Sequence, residues 1–243
     1  MRRTGYGISG LAAEDCLAEI YRLEDSGEQV TTGVVADRRR VRPASITSMF
    51  KRLARDGLVV YREYEGVTLT AAGRRLALGV VRRHRLVERF LTDVLRMSWE
   101  AVDPLADQME HGLPEAVVDA MESLLGNPFT CPHGYPIPDR AGHLPEVPLR
   151  CLAELRVGEV ARVARVDERV PGLLPYLERV GLTLGARVVV HGQNPLDDTV
   201  SLSTGGEPFV VGPRIARAVF VSRARTRVPR GPGPAGSGGW AGA

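Results

Sequence analysis

The fold is decided by residues 41–69, which read VRPASITSMFKRLARDGLVVYREYEGVTL. Apolar residues recur there at the spacing of one helix face, at Ile46, Met49, Phe50 and Leu53. The dipeptide Asp56-Gly57 ends this helix, and the strand-forming residues beyond it turn around at 63–66, which predicts a β-hairpin. Together with a short helix predicted over 32–37, this pattern indicates a winged helix-turn-helix.

The rest of the chain divides into a helical and a β-rich part. Further helices are predicted over 11–25 and 71–95, from an N-cap at Asp103 before Pro104, and over 114–125. Six prolines between 126 and 148 indicate a loop and linker. From Leu152 onward the apolar pattern alternates with period two, and short strands with one helix indicate a small β-barrel.

Charge is strongly segregated along the chain, although the formal net charge is only +3 over 243 residues. Residues 38–55 hold seven basic side chains and no acid, and residues 73–89 hold six against one acid. From 97 to 139, eight acids face no Lys or Arg. The basic blocks suit an anion such as phosphate and the acidic block suits a cation, with solvated faces as the alternative.

Composition excludes several classes of protein. Hydrophobic residues are 44% and charged residues 25%, which is ordinary globular usage and excludes wholesale disorder. No apolar run approaches the roughly 18 residues of a membrane helix, and no signal-peptide core follows the N-terminus. Three widely spaced cysteines do not suggest a disulfide framework, so we expect a cytoplasmic protein without a membrane partner.

A candidate metal site is spread over several predicted helices. Asp107, Glu110 and His111 are spaced i, i+3 and i+4, so they project from one helix face. His84 and Glu88 form another i, i+4 pair inside an apolar stripe, where an uncompensated glutamate would be costly. Carboxylates and imidazoles that converge in a helical bundle suit a divalent transition metal.

Structural interpretations stay open for the same residues. His84 with Glu88 can be a satisfied core pair, and Glu110 with His111 can be exposed. Asp103 is explained by its capping role. Cys131 and His133 lie in the proline-rich loop without metal-finger spacing, and we expect them to be structural. Cys16, about 100° around the first helix from its neighbour Asp15, is expected in the core.

In combination, the motifs resemble the diphtheria toxin repressor family of metal-dependent bacterial transcription repressors, and most closely its manganese-responsive branch. The resemblance covers roughly residues 11–221. It is carried by Ala13-Glu14-Asp15-Cys16-Leu17 with Ile20-Tyr21, Arg42-Pro43-Ala44-Ser45-Ile46-Thr47, Asp56-Gly57-Leu58-Val59, Gly66-Val67-Thr68-Leu69-Thr70 with Gly73-Arg74, Arg83-His84-Arg85-Leu86 with Glu88, Glu110-His111, and His133-Gly134-Tyr135-Pro136-Ile137-Pro138. The C-terminal region is similar to the family's SH3-like domain and to ferrous-iron transport accessory proteins in Val157-Gly158-Glu159 and Gly181-Leu182-Thr183-Leu184-Gly185.

The resemblance implies a multidomain α+β fold. Its expected parts are a winged helix-turn-helix DNA-binding domain over 1–72, a helical metal-binding and dimerisation domain over 73–139, a linker over 140–148, an SH3-like β-barrel over 149–222 and a disordered basic tail over 223–243. The resemblance also implies a homodimer that binds double-stranded DNA at a palindromic operator. Such a protein is a repressor of metal-ion homeostasis genes and not an enzyme.

Mn(II) is the metal that the resemblance favours. The family's ligand positions carry over onto Asp15, His84, Glu88, Asp107, Glu110 and His111. In iron-responsive relatives, Met and Cys stand where this chain has Asp15 and Asp107, and hard oxygen donors suit Mn(II) better than sulfur does. Fe(II) or another divalent transition metal is the alternative within the family.

The helix over 44–53 is expected in the major groove, with its N-terminus toward the bases and basic side chains on the phosphates. The predicted DNA-binding residues are Arg39, Arg40, Arg42, Pro43, Ala44, Ser45, Thr47, Ser48, Lys51 and Arg52. Arg39-Arg40 replace a Leu-Gly of the family's turn. That change should weaken the motif by roughly 1–3 kcal/mol unless the loop rearranges, and the extra arginines could compensate by contacting phosphates.

Other departures place the second metal site of the family in question. Asp103 replaces a histidine of that site, and Ala18 stands where the manganese branch often has an additional glutamate. Val170 and Leu173 fall where the SH3-like domain supplies ligands, although Asp167 and Glu168 are close.

Two other classes of protein compete with the metal-dependent repressor. The first is a metallo-hydrolase that uses the same carboxylates and histidines, His84, Glu88, Asp107, Glu110 and His111, around a bound water. It lacks a recognisable nucleophile or base motif and leaves the winged helix unexplained. The second is a metal-independent winged-helix DNA-binding protein with a structural polar cluster.

Overall fold

The computed structural model describes residues 10–223, so the predicted disordered tail beyond 223 lies outside the described residues. The chain forms two compact units. The first runs up to His84 and includes Pro138–Leu144, and the second comprises Arg85–Ile137 and the chain from Pro145 onward. Within residues 10–223, no helix is both long enough and apolar enough to span a membrane.

The first unit contains the predicted winged helix-turn-helix. Its elements are α1 (Leu11–Asp25), α2 (Thr32–Arg39), α3 (Pro43–Arg55), β1 (Val59–Arg62), β2 (Gly66–Leu69) and the first part of α4 (Ala71–Asp93). Thr31 caps α2, because its side chain accepts a hydrogen bond from the Val34 amide at 3.3 Å. Pro43 occupies the first turn of α3. A proline is tolerated there because a backbone N–H in the first turn has no acceptor within the helix.

The wing and the start of α4 are locked together by close backbone packing. Strands β1 and β2 pair antiparallel in the register Val59↔Leu69, Val60↔Thr68, Tyr61↔Val67 and Arg62↔Gly66. Thr70 Oγ1 accepts the Gly73 amide at 3.1 Å and so caps α4. Gly73 is required here, because a Cβ at this position would lie 1.9 Å from the carbonyl oxygen of Leu58.

The core of the first unit is formed by one apolar face from each helix. The residues predicted on the inner face of α3 are buried or packed against this core, and α1 is buried along most of its length. The largest buried side chains of this core are Leu17, Ile20, Tyr21, Leu23, Phe50, Leu53 and Leu58. This core holds the inner face of α3 in place, while the N-terminal turn of α3 stays exposed.

The second unit combines a helical part and a β-rich part. The helical part holds the rest of α4 with α5 (Val102–Met109) and α6 (Glu115–Leu124). The β-rich part consists of β3 (Arg150–Cys151), a 3-10 turn (Leu152–Glu154), β4 (Val160–Val166), α7 (Leu173–Arg179), β5 (Arg187–Asn194), β6 (Thr199–Ser203), β7 (Phe209–Val211), α8 (Pro213–Ala218) and β8 (Val219–Arg223). These elements confirm the change from helical to period-two patterning.

The expected β-barrel is not closed, which corrects the prediction. The six strands form one antiparallel sheet in the order β3-β8-β4-β5-β6-β7, and within residues 10–223 its edge strands β3 and β7 do not pair. Each edge strand has only two or three residues. Helix α8 packs against both β6 and β3, so it covers the side on which closure would occur.

The predicted cap at Asp103 is also wrong. Helix α5 begins at Val102, its N-cap is Ala101, and no side chain caps it. Pro104 explains the difference, since the first-turn amides of a helix have no intrahelical acceptor and a proline is tolerated there. The helix therefore starts before Asp103 and leaves that carboxylate in its first turn.

Candidate metal ligands and DNA-reading surface

The candidate DNA-reading surface is the exposed N-terminal part of α3 with the turn before it. Among the predicted DNA-binding residues, the exposed ones are Arg40, Arg42, Pro43, Ala44, Ser45, Ser48 and Lys51, and the half-buried ones are Arg39, Thr47 and Arg52. The wing adds Tyr64, whose side chain is 99% exposed at the tip of the hairpin. An exposed surface that carries hydroxyl and guanidinium groups suits base edges and phosphates.

The turn between α2 and α3 accommodates the two unusual arginines. Arg40 adopts the left-handed conformation (φ 53°, ψ 42°) that a glycine would occupy without strain. Arg39 turns back toward α1, where its Nη2 donates to Oδ2 of Asp15 at 2.6 Å. A charged pair with Asp15 thus stands at the position where the family pattern has a leucine.

Helix α1 presents two neighbouring carboxylates that are paired with arginines of the same unit. Asp15 binds Arg39, and Glu14 lies 3.0 Å from Nη2 of Arg83 on α4. Cys16 beside them is buried, as expected for a core residue, and burial raises the pKa of its thiol to about 12. In the absence of metal the thiol is therefore neutral at physiological pH, and Asp15 remains the candidate on α1 that the family pattern gives.

The predicted ligands of the second unit follow α5. Asp107 is exposed on the helix, and Glu110, just beyond the last residue of α5, is only 4% exposed. Nε2 of His111 lies 3.3 Å from Oε1 of Glu110. The structure thus brings Glu110 and His111 together as a largely buried carboxylate–imidazole pair.

On α4, His84 and Glu88 are both buried, one turn apart, as the apolar stripe predicts. The carboxylate of Glu88 contacts His133, a residue that the sequence predicts to be structural. Its Oε1 lies 3.0 Å from Nδ1 of His133, and the ligand atoms of Glu88, Cys131 and His133 lie within 4.8 Å of one another. All three residues are buried, and they carry a hard oxygen, an imidazole nitrogen and a sulfur.

Hydrogen bonding fixes the histidine of this cluster. Nε2 of His133 lies 2.8 Å from the carbonyl oxygen of Trp99, so this nitrogen carries the proton and Nδ1 faces Glu88. Burial by itself lowers the pKa of His133, but the neighbouring Cys131 and Glu88 outweigh it and raise that pKa to about 11. Without metal, the cluster is therefore held by an imidazolium facing a carboxylate.

A second carboxylate, that of Glu168 in the β-rich part, interacts electrostatically with the same cluster. Oε2 of Glu168 is buried and has no hydrogen-bond partner among residues 10–223. Burial raises the pKa of Glu168, the nearby His133 lowers it and the charge of Glu88 raises it again. An unsatisfied buried oxygen is costly, so a cation beside Glu88, Cys131 and His133 fits the donors present.

The loop that carries Cys131 and His133 is held rigidly against β4. The amide of Cys131 donates to the carbonyl of Tyr135 at 2.9 Å, and the carbonyl of His133 accepts the Val166 amide at 2.9 Å. Gly134 adopts φ +90°, and a Cβ there would lie 2.1 Å from the carbonyl oxygen of Ala164. The only signal in the sequence was a thiol and an imidazole two residues apart, which is too weak to identify a site.

Known protein families match almost the whole described chain. Residues 11–67 match the family described as "Iron dependent repressor, N-terminal DNA binding domain". Residues 70–139 match "Iron dependent repressor, metal binding and dimerisation domain", and residues 150–223 match "FeoA domain".

Individual relatives include an iron-dependent repressor and the diphtheria toxin repressor. The iron-dependent repressor IdeR of Mycobacterium tuberculosis is 34% identical over 219 residues, which cover 85% of this chain and 95% of that protein. The diphtheria toxin repressor of Corynebacterium diphtheriae is 34% identical over 122 residues, covering 50% of this chain and 54% of that protein.

Solved structures of metal-bound repressors are also similar to this chain. One described as a manganese-dependent transcriptional repressor in complex with manganese has a TM-score of 0.81 at 33% identity, covering 87% of this chain and 99% of that one. ScaR with bound Cd²⁺ has a TM-score of 0.75 at 30% identity, covering 87% and 99%.

Proposed function

The chain belongs to the iron-dependent repressor family, that of the diphtheria toxin repressor, and from this premise we propose that it represses metal-homeostasis genes in response to Mn(II). It is a metal-dependent, DNA-binding transcriptional repressor with a dimerisation domain, and its family consists of regulators and not enzymes. Membership of this family removes the metallo-hydrolase as a competing class.

Metal dependence is carried by one observation above all, the buried cluster of Glu88, Cys131 and His133 with the unpartnered oxygen of Glu168. A bound cation would neutralise the carboxylates and replace protons on the imidazole and thiol. This cluster supports a metal site in addition to the one proposed from the family pattern.

The family pattern supports a ligand set of Asp15, His84, Glu88, Asp107, Glu110 and His111. In this proposal Glu88 is available to either site, and Asp15, Asp107, Glu110 and His111 form the first one. Their donors are oxygen and imidazole nitrogen without sulfur, and this favours Mn(II) over softer metals. Iron-dependent relatives keep Fe(II) as the alternative.

Metal acts in this proposal through the arrangement of helices. An ion that takes ligands from α1 and from the segment after α5 couples the DNA-reading motif to the dimerisation helices. DNA affinity changes only because the metal binds the DNA-competent arrangement better. The proposed operator is palindromic, with half-sites about one DNA turn (about 34 Å) apart, and the proposed location is the cytoplasm.

Gel shifts with and without chelator test this function. Duplex DNA selected from a random library in parallel by the Mn(II)-loaded and by the Fe(II)-loaded protein serves as the probe. Retardation with Mn(II) that EDTA abolishes supports the proposal, whereas retardation unaffected by EDTA indicates a metal-independent DNA-binding protein. A response to Fe(II) without a response to Mn(II) would overturn the assignment of the metal.

A further inference from the structure

One contact in the first unit joins the helix-turn-helix to a proposed metal ligand. Arg39 is the last residue of α2, and its guanidinium lies 2.6 Å from the carboxylate of Asp15 on α1. The two side chains are only 26% and 24% exposed. A short, charge-assisted bond in a half-buried place is stronger than an exposed ion pair.

The contact uses the atoms that a metal would need. A carboxylate binds a metal through its oxygen lone pairs, and in this structure Oδ2 of Asp15 accepts from Arg39. A dication on the same carboxylate would face the guanidinium, a like charge, at a few ångströms. We propose that Arg39 is a built-in competitor of the metal, which holds Asp15 in the metal-free protein and must leave before the ion binds.

This competition sets the metal concentration at which the repressor responds. The energy of the Arg39–Asp15 pair is lost when metal binds, so the pair lowers the affinity of the site for its ion. The inference rests on the proposed function, because it requires Asp15 to be a metal ligand.

The chain offers a matched control on the same helix. Arg38, the preceding residue, places its Nη2 3.1 Å from Oε1 of Glu28, a carboxylate outside the proposed ligand set. Replacing Arg38 or Arg39 with alanine removes one positive charge from the end of α2 in either case. Only the second replacement frees Asp15, so the difference between the two variants isolates the competition from general electrostatics.

The test is a Mn(II) titration of the full chain without DNA. Binding is measured by calorimetry and by the electron paramagnetic resonance signal of free Mn(II). Arg39→Ala is expected to tighten the Asp15-dependent binding about three- to tenfold, whereas Arg38→Ala changes it less than about twofold. Arg39→Lys keeps the charge and is expected to lie between Arg39→Ala and the wild type. Far-UV circular dichroism checks folding, with Arg39→Gln replacing the alanine variant if that one is unfolded.

Asp15→Asn separates failure of the inference from failure of the proposed function. Loss of a Mn(II)-binding event in Asp15→Asn, with equal affinities for Arg39→Ala and Arg38→Ala, overturns the competition and leaves the proposed function intact. Unchanged Mn(II) binding in Asp15→Asn overturns both the ligand assignment and the competition.

Discussion

Nδ1 of His133 lies 3.0 Å from Oε1 of Glu88, and both side chains are buried. The pair joins helix α4 to the loop that leads into the β-rich part. Removing one partner of a buried ion pair leaves the other as an uncompensated charge, which costs far more than losing an exposed pair.

Replacing His133 with alanine is therefore expected to lower the free energy of unfolding of the metal-free protein by about 3–5 kcal/mol. Urea denaturation in the presence of EDTA measures this change. His143 is the matched control, because it forms the same kind of pair with Asp139 (2.9 Å) with its side chain 80% exposed. His143→Ala should change stability little, and equal losses in both variants would contradict the buried pair.

Stability of the metal-free protein is expected to fall as pH rises above about 6.5. Because the pKa of His133 is raised to about 11 in the folded state, its contribution is complete below the unfolded pKa of about 6.5 and is lost as pH rises through 11. Urea denaturation between pH 6.5 and about 8.5, below the ordinary pKa of a thiol, measures the slope. His133→Gln should flatten it, whereas His143→Gln should leave it as in the wild type.

Gly134 is expected to tolerate no side chain. At φ +90°, an added Cβ would lie 2.1 Å from the carbonyl oxygen of Ala164, so Gly134→Ala must displace the loop that carries Cys131 and His133. Gly158 has a similar φ of +84° with open space around it, and Gly158→Ala should cost only the backbone strain, about 1–2 kcal/mol. Thermal unfolding of the two variants compares them, and a Gly134→Ala protein no less stable than Gly158→Ala would refute the close approach.

Arg42 is expected to neutralise a DNA phosphate. Arg42→Ala should weaken binding to all duplexes similarly and reduce the slope of log K against log salt by about 0.9. Fluorescence anisotropy at several salt concentrations measures the slope. Arg187, exposed on β5, is the charge-matched control, and a slope reduced equally by Arg187→Ala would mean that net charge alone is responsible.

Replacing Asp107 or Glu110 with alanine is expected to abolish the metal dependence of DNA binding and to leave the dimer intact. The carboxylates are proposed to bind the metal, whereas dimerisation is proposed to depend on apolar packing of the helices. Analytical ultracentrifugation and gel shifts measure the two properties separately. Loss of the dimer in Asp107→Ala would refute this division of roles, since Asp107 is exposed on α5 and is proposed to act only through the metal.

Local patterns predicted most of the secondary structure. The i, i+3, i+4, i+7 spacing of Ile46, Met49, Phe50 and Leu53 requires only neighbours along one helix, and α3 forms where this spacing places it. The prediction of a cap at Asp103 failed for an equally local reason, since a helix can begin two residues before a proline of its first turn. The prediction of a closed β-barrel failed because closure depends on two short edge strands that are far apart in the sequence.

By itself, the sequence determined the winged helix-turn-helix, the change to a β-rich part and the residue types of the proposed metal ligands, because these depend on periodicity and on the chemistry of single side chains. Only the tertiary structure decided that Glu88 faces Cys131 and His133 and that Arg39 pairs with Asp15. Both contacts join segments distant in sequence. The first distance depends on how the tight turn at Gly134 is held against the core, and the second depends on how the end of α2 is held there. Residue spacing along the chain does not contain this information.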